Sequence, residues 1–544
     1  MLKRILPGAA LLCLAVLPSL ARPAPVPIDK AGRPAVVVRV QAIDELLANL
    51  RYLAAQAGQE EQAKQFEGFI KSMAGPKGLD GIDTKRPLAL YGNIGPNGID
   101  STAVLLIPVA DEKALLDLFA RFEAKVEKGK EGLYTVKHDN LPVPVFFRFA
   151  NKYAYVTAQD ESAIAPNKLL PPEKVLGTGP VGVVSASVNI ADIPNELRTT
   201  AIEQMRTQLE AAKQQREPNE TDIQHKFKGQ MIDAVGAQIA SVLKDGDHVT
   251  LSVNVDRKAG DIALNLTLAG KENTKLAGSI LELAKAKSVV AGIIGKDSTM
   301  SAIIYAALPE DLRKGLAPVL DEAIQKGLEE EKDKAKRALA EKFARAIEPT
   351  LKAAELDAAL DIRGPSAQNL YTVVAGLKVK DGAALEKTLR ELFKELPAEQ
   401  KAIIKLDAEQ VGSVKIHRLD VQTFYDDEAK KSFGNNPAYL AIRENAVFVG
   451  VGENGLAAVK GALAAPPRLA TPLKLEVSMA RLARALAVQE KDAPKFAEEA
   501  FGKGGGNDKV QFVLEGGPQL KLSFAMKAPV IKFLVKLGEA RAGK

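Results

Sequence analysis

The chain has 544 residues, 46% hydrophobic and 26% charged, with 74 basic against 68 acidic residues and a net charge of +6. By length this is roughly three to five domain-sized units. Acids and bases alternate along the chain, no tryptophan occurs and aromatics make up 5%. These features exclude the basic stripe and stacking platform of a nucleic-acid surface, so no nucleic-acid partner is expected.

Residues 1–21 read as a signal peptide. Lys3 and Arg4 form a positive start, residues 5–18 an apolar run, and Ser19-Leu20-Ala21 a small-residue cleavage site. The run is too short to cross a bilayer, and no later stretch reaches about 18 uncharged apolar residues, so the mature chain is expected to lack a transmembrane segment. Cys13, the only cysteine, would leave with the signal. A cysteine-free chain in an oxidising compartment depends on a packed core for its stability. The expected location is periplasmic or extracellular, with residues 22–34 a Pro-rich linker.

The rest reads as one α+β unit written twice, over 35–290 and 296–540. The stretch 107–119 matches 377–389, with Asp111 and Asp381 each at a strand-to-helix junction where a carboxylate caps the helix. Leu115, Leu118, Phe119 and Phe122 then follow helical spacing, as do Leu385, Leu389 and Leu392. Further parallels keep the same order: 89–96 with 359–365, 152–164 with 445–457, Pro171-Pro172 with Pro466-Pro467, 187–193 with 477–482, and 247–271 with 508–527. In the last segment of the first copy Val249, Leu251, Val253 and Val255 alternate, a turn follows at 258–261, and Ile262, Leu264, Leu266 and Leu268 alternate back. The predicted fold is two tandem, largely antiparallel sheets covered by amphipathic helices, related by a pseudo-two-fold axis. The copies differ in a helical insert at 193–246 in the first and a long charged helix at 319–348 in the second, whose Glu330/Lys334 and Asp333/Arg337 pairs suit a solvated face.

Few motifs carry chemistry. Gly450, Gly452 and Gly455 stand in GxGxxG spacing after a strand, with Glu476 where a ribose-binding acid falls in dinucleotide enzymes. The matching stretch of the first copy, 156–162, has no glycine, and 438–449 reads as an antiparallel hairpin, so the glycines are expected to make a tight turn and bind no cofactor. His138, His225, His248 and His417 show no metal-ligand spacing, although His138 and His417 fall in the same strand of the two copies. Ser241 and Lys244 have SxxK spacing without companion motifs, and the glycines at 502–506 read as a flexible connection. No catalytic, cofactor-binding or metal residue is nominated.

The ordered segments 107–119 with 152–162, and 377–389 with 445–455, resemble uncharacterised bacterial secreted proteins built of duplicated strand–helix–hairpin units, of domain-of-unknown-function type. The resemblance brings no catalytic residues. The expected function is an exported, non-enzymatic binding or scaffolding protein of the cell envelope, with an apolar ligand or a partner segment held between the two repeats. A lipid carrier is a special case that needs a continuous apolar surface. The alternative is an extracytoplasmic hydrolase with a carboxylate site that no motif reveals.

Overall fold

A computed structural model describes residues 33–542, apart from 75–78, 97, 99–100, 122–123, 139–141, 178, 180, 470, 488 and 503–505. The expected signal peptide with Cys13, residues 22–32 of the expected linker, and Phe122 lie outside the described residues.

The architecture is α+β, and its centre is one antiparallel sheet of twenty strands. The first ten are β1 (Val36–Val40), β2 (Leu88–Asn93), β3 (Thr102–Pro108), β4 (Lys125–Lys128), β5 (Leu133–Lys137), β6 (Val145–Ala150), β7 (Tyr153–Ala158), β8 (Val184–Asn189), β9 (Gly246–Asp256) and β10 (Asp261–Gly270). The second ten are β11 (Ser298–Ala307), β12 (Glu355–Arg363), β13 (Thr372–Lys378), β14 (Ile404–Val411), β15 (Val414–Leu419), β16 (Ala438–Arg443), β17 (Ala446–Gly452), β18 (Leu473–Ser478), β19 (Lys509–Glu515) and β20 (Leu520–Lys527). In space the first set runs β4-β5-β6-β7-β3-β2-β1-β8-β9-β10. The second set pairs in the same order, from β14 at its outer edge to β20.

The two sets join where β10 pairs antiparallel with β20, from Asp261 opposite Lys527 to Leu268 opposite Leu520. Asn265 stands opposite Ser523 at the middle of this seam, and the Ser523 hydroxyl donates to Asn265 Oδ1 at 2.9 Å. The β9–β10 turn closes where the sequence places it. Asp256 Oδ1 accepts the N–H groups of Lys258 and Ala259 at 2.9 and 3.0 Å, and Gly260 supplies a φ of 68° that a side chain would disfavour.

Helices pack against parts of this sheet. They include α1 (Ile43–Ala57), α2 (Glu60–Ala74), α3 (Glu112–Arg121), α4 (Asn195–Gln214), α5 (Asp222–Asp245), α6 (Glu310–Glu330), α7 (Lys334–Ala353), α8 (Gly382–Glu395), α9 (Gly455–Ala464), α10 (Met479–Leu486), α11 (Ala493–Phe501) and α12 (Pro529–Ala542). The aspartates at the two matched junctions do cap their helices: Asp111 Oδ1 accepts from Ala114 N at 2.6 Å, and Asp381 Oδ1 from Ala384 N at 2.8 Å. The insert folds as the helix pair α4 and α5, with Thr221 and Gln224 forming a capping box at the start of α5.

The long charged helix expected at 319–348 is two helices. α6 starts at Glu310 and stops at Glu330, and Asp333 turns its side chain onto the N–H groups of Ala335 and Lys336 to start α7. The Glu330/Lys334 pair straddles this break, whereas Asp333 is the N-cap of α7 and its carbonyl oxygen accepts the Arg337 backbone N–H at 2.8 Å.

The outer strands are covered on both faces. Leu115 and Leu118 of α3 pack on Val136, Val145 and Phe147 from one side. From the other side, residues 161–176 cover Tyr91, Leu106, Tyr153 and Tyr155. In the second half α9 and residues 290–293 cover Val374, Ile416 and Phe448.

Candidate functional site

The middle of the sheet is built differently. Side chains alternate between faces along a strand, and laterally paired residues share a face. Following the pairs from β2 to β13 therefore collects one face of eleven adjacent strands. Leu88 and Leu90 of β2 lead to Val36, Val38 and Val40 of β1, then through β8 to Val249, Leu251, Val253 and Val255 of β9. Ile262, Leu264, Leu266 and Leu268 of β10 meet Met526, Phe524, Leu522 and Leu520 of β20 across the seam. The face continues through Phe512, Leu475, Ala302 and Leu360 to Val373, Ala375 and Leu377 of β13.

Within the regular registers, short of the shifts at the ends of β9 and β11, every position on this face is Val, Leu, Ile, Ala, Phe, Met or Gly. Among these described residues none is buried. Beside the seam Leu251, Leu264, Leu266 and Phe524 are 46%, 43%, 41% and 40% exposed. On the central strands, β8 to β10 and β18 to β20, the reverse face is mostly polar, whereas on β1, β2, β12 and β13 it is the buried core side that carries Val37, Tyr91, Ala359 and Val374. Ser187 and Thr250 share a hydrogen bond of 2.8 Å, Ser523 bonds Asn265, and Asn254 donates to Ser252 at 3.3 Å. Such a pattern says that the apolar side is the one meant to leave water. A cluster of α10, α11 and α12, around Ala483, Ala497, Phe501 and Phe533, packs on Val510 and Met526 at one end of the face. On α5, Ile223, Met231, Val235 and Ile239 add a second exposed apolar run, repeating at four or eight residues.

A second cluster lies on an outer strand of the second half. His417 of β15 is fully buried. Its Nδ1 accepts the Asp407 backbone N–H at 3.1 Å, so Nε2 carries the proton and donates to Glu386 of α8 at 3.0 Å. Glu386, Asp407 and His417 each offer a ligand atom within 4.8 Å of the others. Arg390 fills this space: its guanidinium lies 2.7 Å from Glu386 Oε1 and also binds both Asp407 oxygens. Hydrogen bonding from Arg390 holds the Asp407 carboxyl below its usual range. A divalent cation would have to displace the guanidinium, so the geometry fits a closed ion-pair knot better than a metal centre. It opens onto a shallow depression of about 930 Å³ whose walls include Lys380, Lys415 and Arg443.

The same steps along the pairing ladders can be followed in both sets of strands. From Leu105 the partners run Val156, Phe147, Tyr134, and from Ala375 they run Val449, Leu440, His417. The first path ends at Tyr134, stacked 4.8 Å from Phe147, and the second at His417. His138 lies beyond the end of β5, half-buried.

The other sequence candidates are accounted for. β17 pairs antiparallel with β13 and with β16, so Gly450, Gly452 and Gly455 lie in no parallel βαβ unit. Glu476 sits within β18 and accepts from Gln511 at 2.9 Å. His225 bonds Glu220 at 3.3 Å, and His248 bonds Asp247 at 2.7 Å and Gln519 at 3.3 Å. Ser241 and Lys244 lie in the last turn of α5. Gly502 caps α11 with a φ of 67°, and the glycines at 504–505 lie outside the described residues.

Among the described residues, each carboxyl with a resolved pKa departure is lowered, which is opposite to what a carboxyl acid catalyst needs. No described helix is long and apolar enough to cross a membrane. No family model, curated protein or solved structure matches this chain.

Proposed function

We propose that this chain is an exported, non-enzymatic binding protein of the cell envelope, formed by doubling one strand–helix unit, and that it holds an apolar ligand on the face crossing the seam. The observation that carries the reading is the inverted burial of the central strands. Their polar face has a water-compatible pattern, while their apolar face keeps no side chain out of solvent. Single-chain proteins rarely expose contiguous apolar patches beyond a few hundred Å², and larger ones mark sites of interaction.

The doubling is supported by the shared pairing order and by the seam register. Counting along the ladders makes Ile262 equivalent to Leu520 and Leu268 to Met526, so the pair Ile262–Met526 maps onto Leu268–Leu520 about Asn265 and Ser523. The ligand surface would then be shared equally by the two units.

The test is titration of the mature chain with N-phenyl-1-naphthylamine, a dye that brightens in apolar surroundings. Saturable brightening is expected, weakened at least about tenfold, or 1.4 kcal/mol, in a Leu266→Asp/Phe524→Asp variant with an unchanged circular dichroism spectrum. Equal binding by the variant, or none by the parent, would sink the reading.

A further inference from the structure

We infer that the ligand is a lipid with two or more acyl chains, and that several such molecules bind at once. This rests on the apolar-ligand reading above and narrows its chemistry. The first argument is the uniformity of the face. Over eleven strands its regularly paired positions present no hydroxyl, amide or charged side chain, and the backbone N–H and C=O groups are engaged in the ladders. Protein partners bring polar atoms, at about one hydrogen bond per 100–200 Å² of interface, and these would find no side-chain partner here. Hydrocarbon brings none. A flat second copy is also disfavoured, because the α10–α12 cluster packs on the same side of the sheet, over Val510 and Met526.

The second argument is size. Eleven strands at the usual spacing of about 4.8 Å span roughly 48 Å, and the eight paired residues of the seam run about 27 Å. A bilayer core is about 30 Å thick, so one acyl chain reaches about 15 Å. A single fatty acid or sterol would leave most of the face wet, whereas a row of chains lying across β9, β10, β20 and β19 would cover it.

The experiment incubates the full mature chain with vesicles of phosphatidylethanolamine and phosphatidylglycerol at 3:1 and re-isolates it by gel filtration. Lipid phosphorus per chain is then measured, together with a native mass. Two or more phospholipids per chain, falling to fewer than one in Leu266→Asp/Phe524→Asp, is the expected result. One phospholipid per chain overturns the multiplicity. No phospholipid on a chain that still brightens the naphthylamine dye overturns the lipid class and leaves the apolar-ligand reading standing. Neither lipid nor dye removes both, and a lipid-free dimer assigns the face to a second copy instead.

Discussion

Arg33 donates to Asp192 at 2.8 Å and to Asp247 at 2.7 Å, tying the start of the described chain to the first residues of β9. The guanidinium lowers the Asp247 carboxyl to about 2, well below the ordinary value of about 3.9. A depressed folded-state pKa gives stability that is present above the unfolded value and is lost as pH falls through the folded one. Asp247→Asn is therefore expected to melt lower than the parent at neutral pH, with the difference shrinking below about pH 4 and gone only below about pH 2. With Arg33 46% exposed the neutral-pH effect should stay within about 1 kcal/mol, read by thermal melts across the pH series. Among single residues, the aspartate caps were legible because a carboxylate before an amphipathic run has a local physical consequence. The knot of Glu386, Arg390, Asp407 and His417 was not. Its members come from a helix and two strands, and their meeting depends on register.

The glycines around 450–455 show what an element-scale reading can and cannot recover. The hairpin expected at 438–449 is formed by β16 and β17, and the packing around β17 gives the reason for the glycines. A Cβ on Gly452, at φ 99°, would lie 2.1 Å from the Tyr371 carbonyl oxygen, and one on Gly450 2.4 Å from that of Gly455. Gly461, inside α9, faces open space. Gly452→Ala is expected to cost about 2–3 kcal/mol or more, through strain and overpacking. Gly461→Ala should gain up to about 1 kcal/mol from helix propensity. Urea midpoints of the two variants, moving in opposite directions, check both. The break between α6 and α7 escaped the sequence because residues 331–333 include neither glycine nor proline. There the Asp333 side chain competes with helix continuation by binding backbone N–H groups, and the two helices pack side by side. Propensity alone does not see that competition.

On the scale of the molecule, the seam makes one sheet out of two sets of strands. Cutting the chain between Gly295 and Ser298 would leave β10 and β20 as bare edges of eight residues, with an apolar side chain at every second position. Such edges seek a partner strand. Segments 33–295 and 296–542, expressed together from separate reading frames, should therefore co-elute as a one-to-one complex in gel filtration. Asn265→Pro, which cannot take part fully in a central ladder, should weaken that complex. Independent elution of the two segments would mean that the seam contributes little.

The sequence by itself determined the α+β class, the β9–β10 hairpin, the caps and the helical insert, because each follows from a period, a turn or a cap within some twenty residues. It also contained the alternation that makes one face of the central strands wholly apolar. What it could not contain is that these faces line up across the seam and stay largely uncovered, with α10–α12 packed only over Val510 and Met526. That was decided by tertiary structure: lateral register between strands up to some 260 residues apart selects which side chains become neighbours, and the placement of the helices selects which of those neighbours are left to face water.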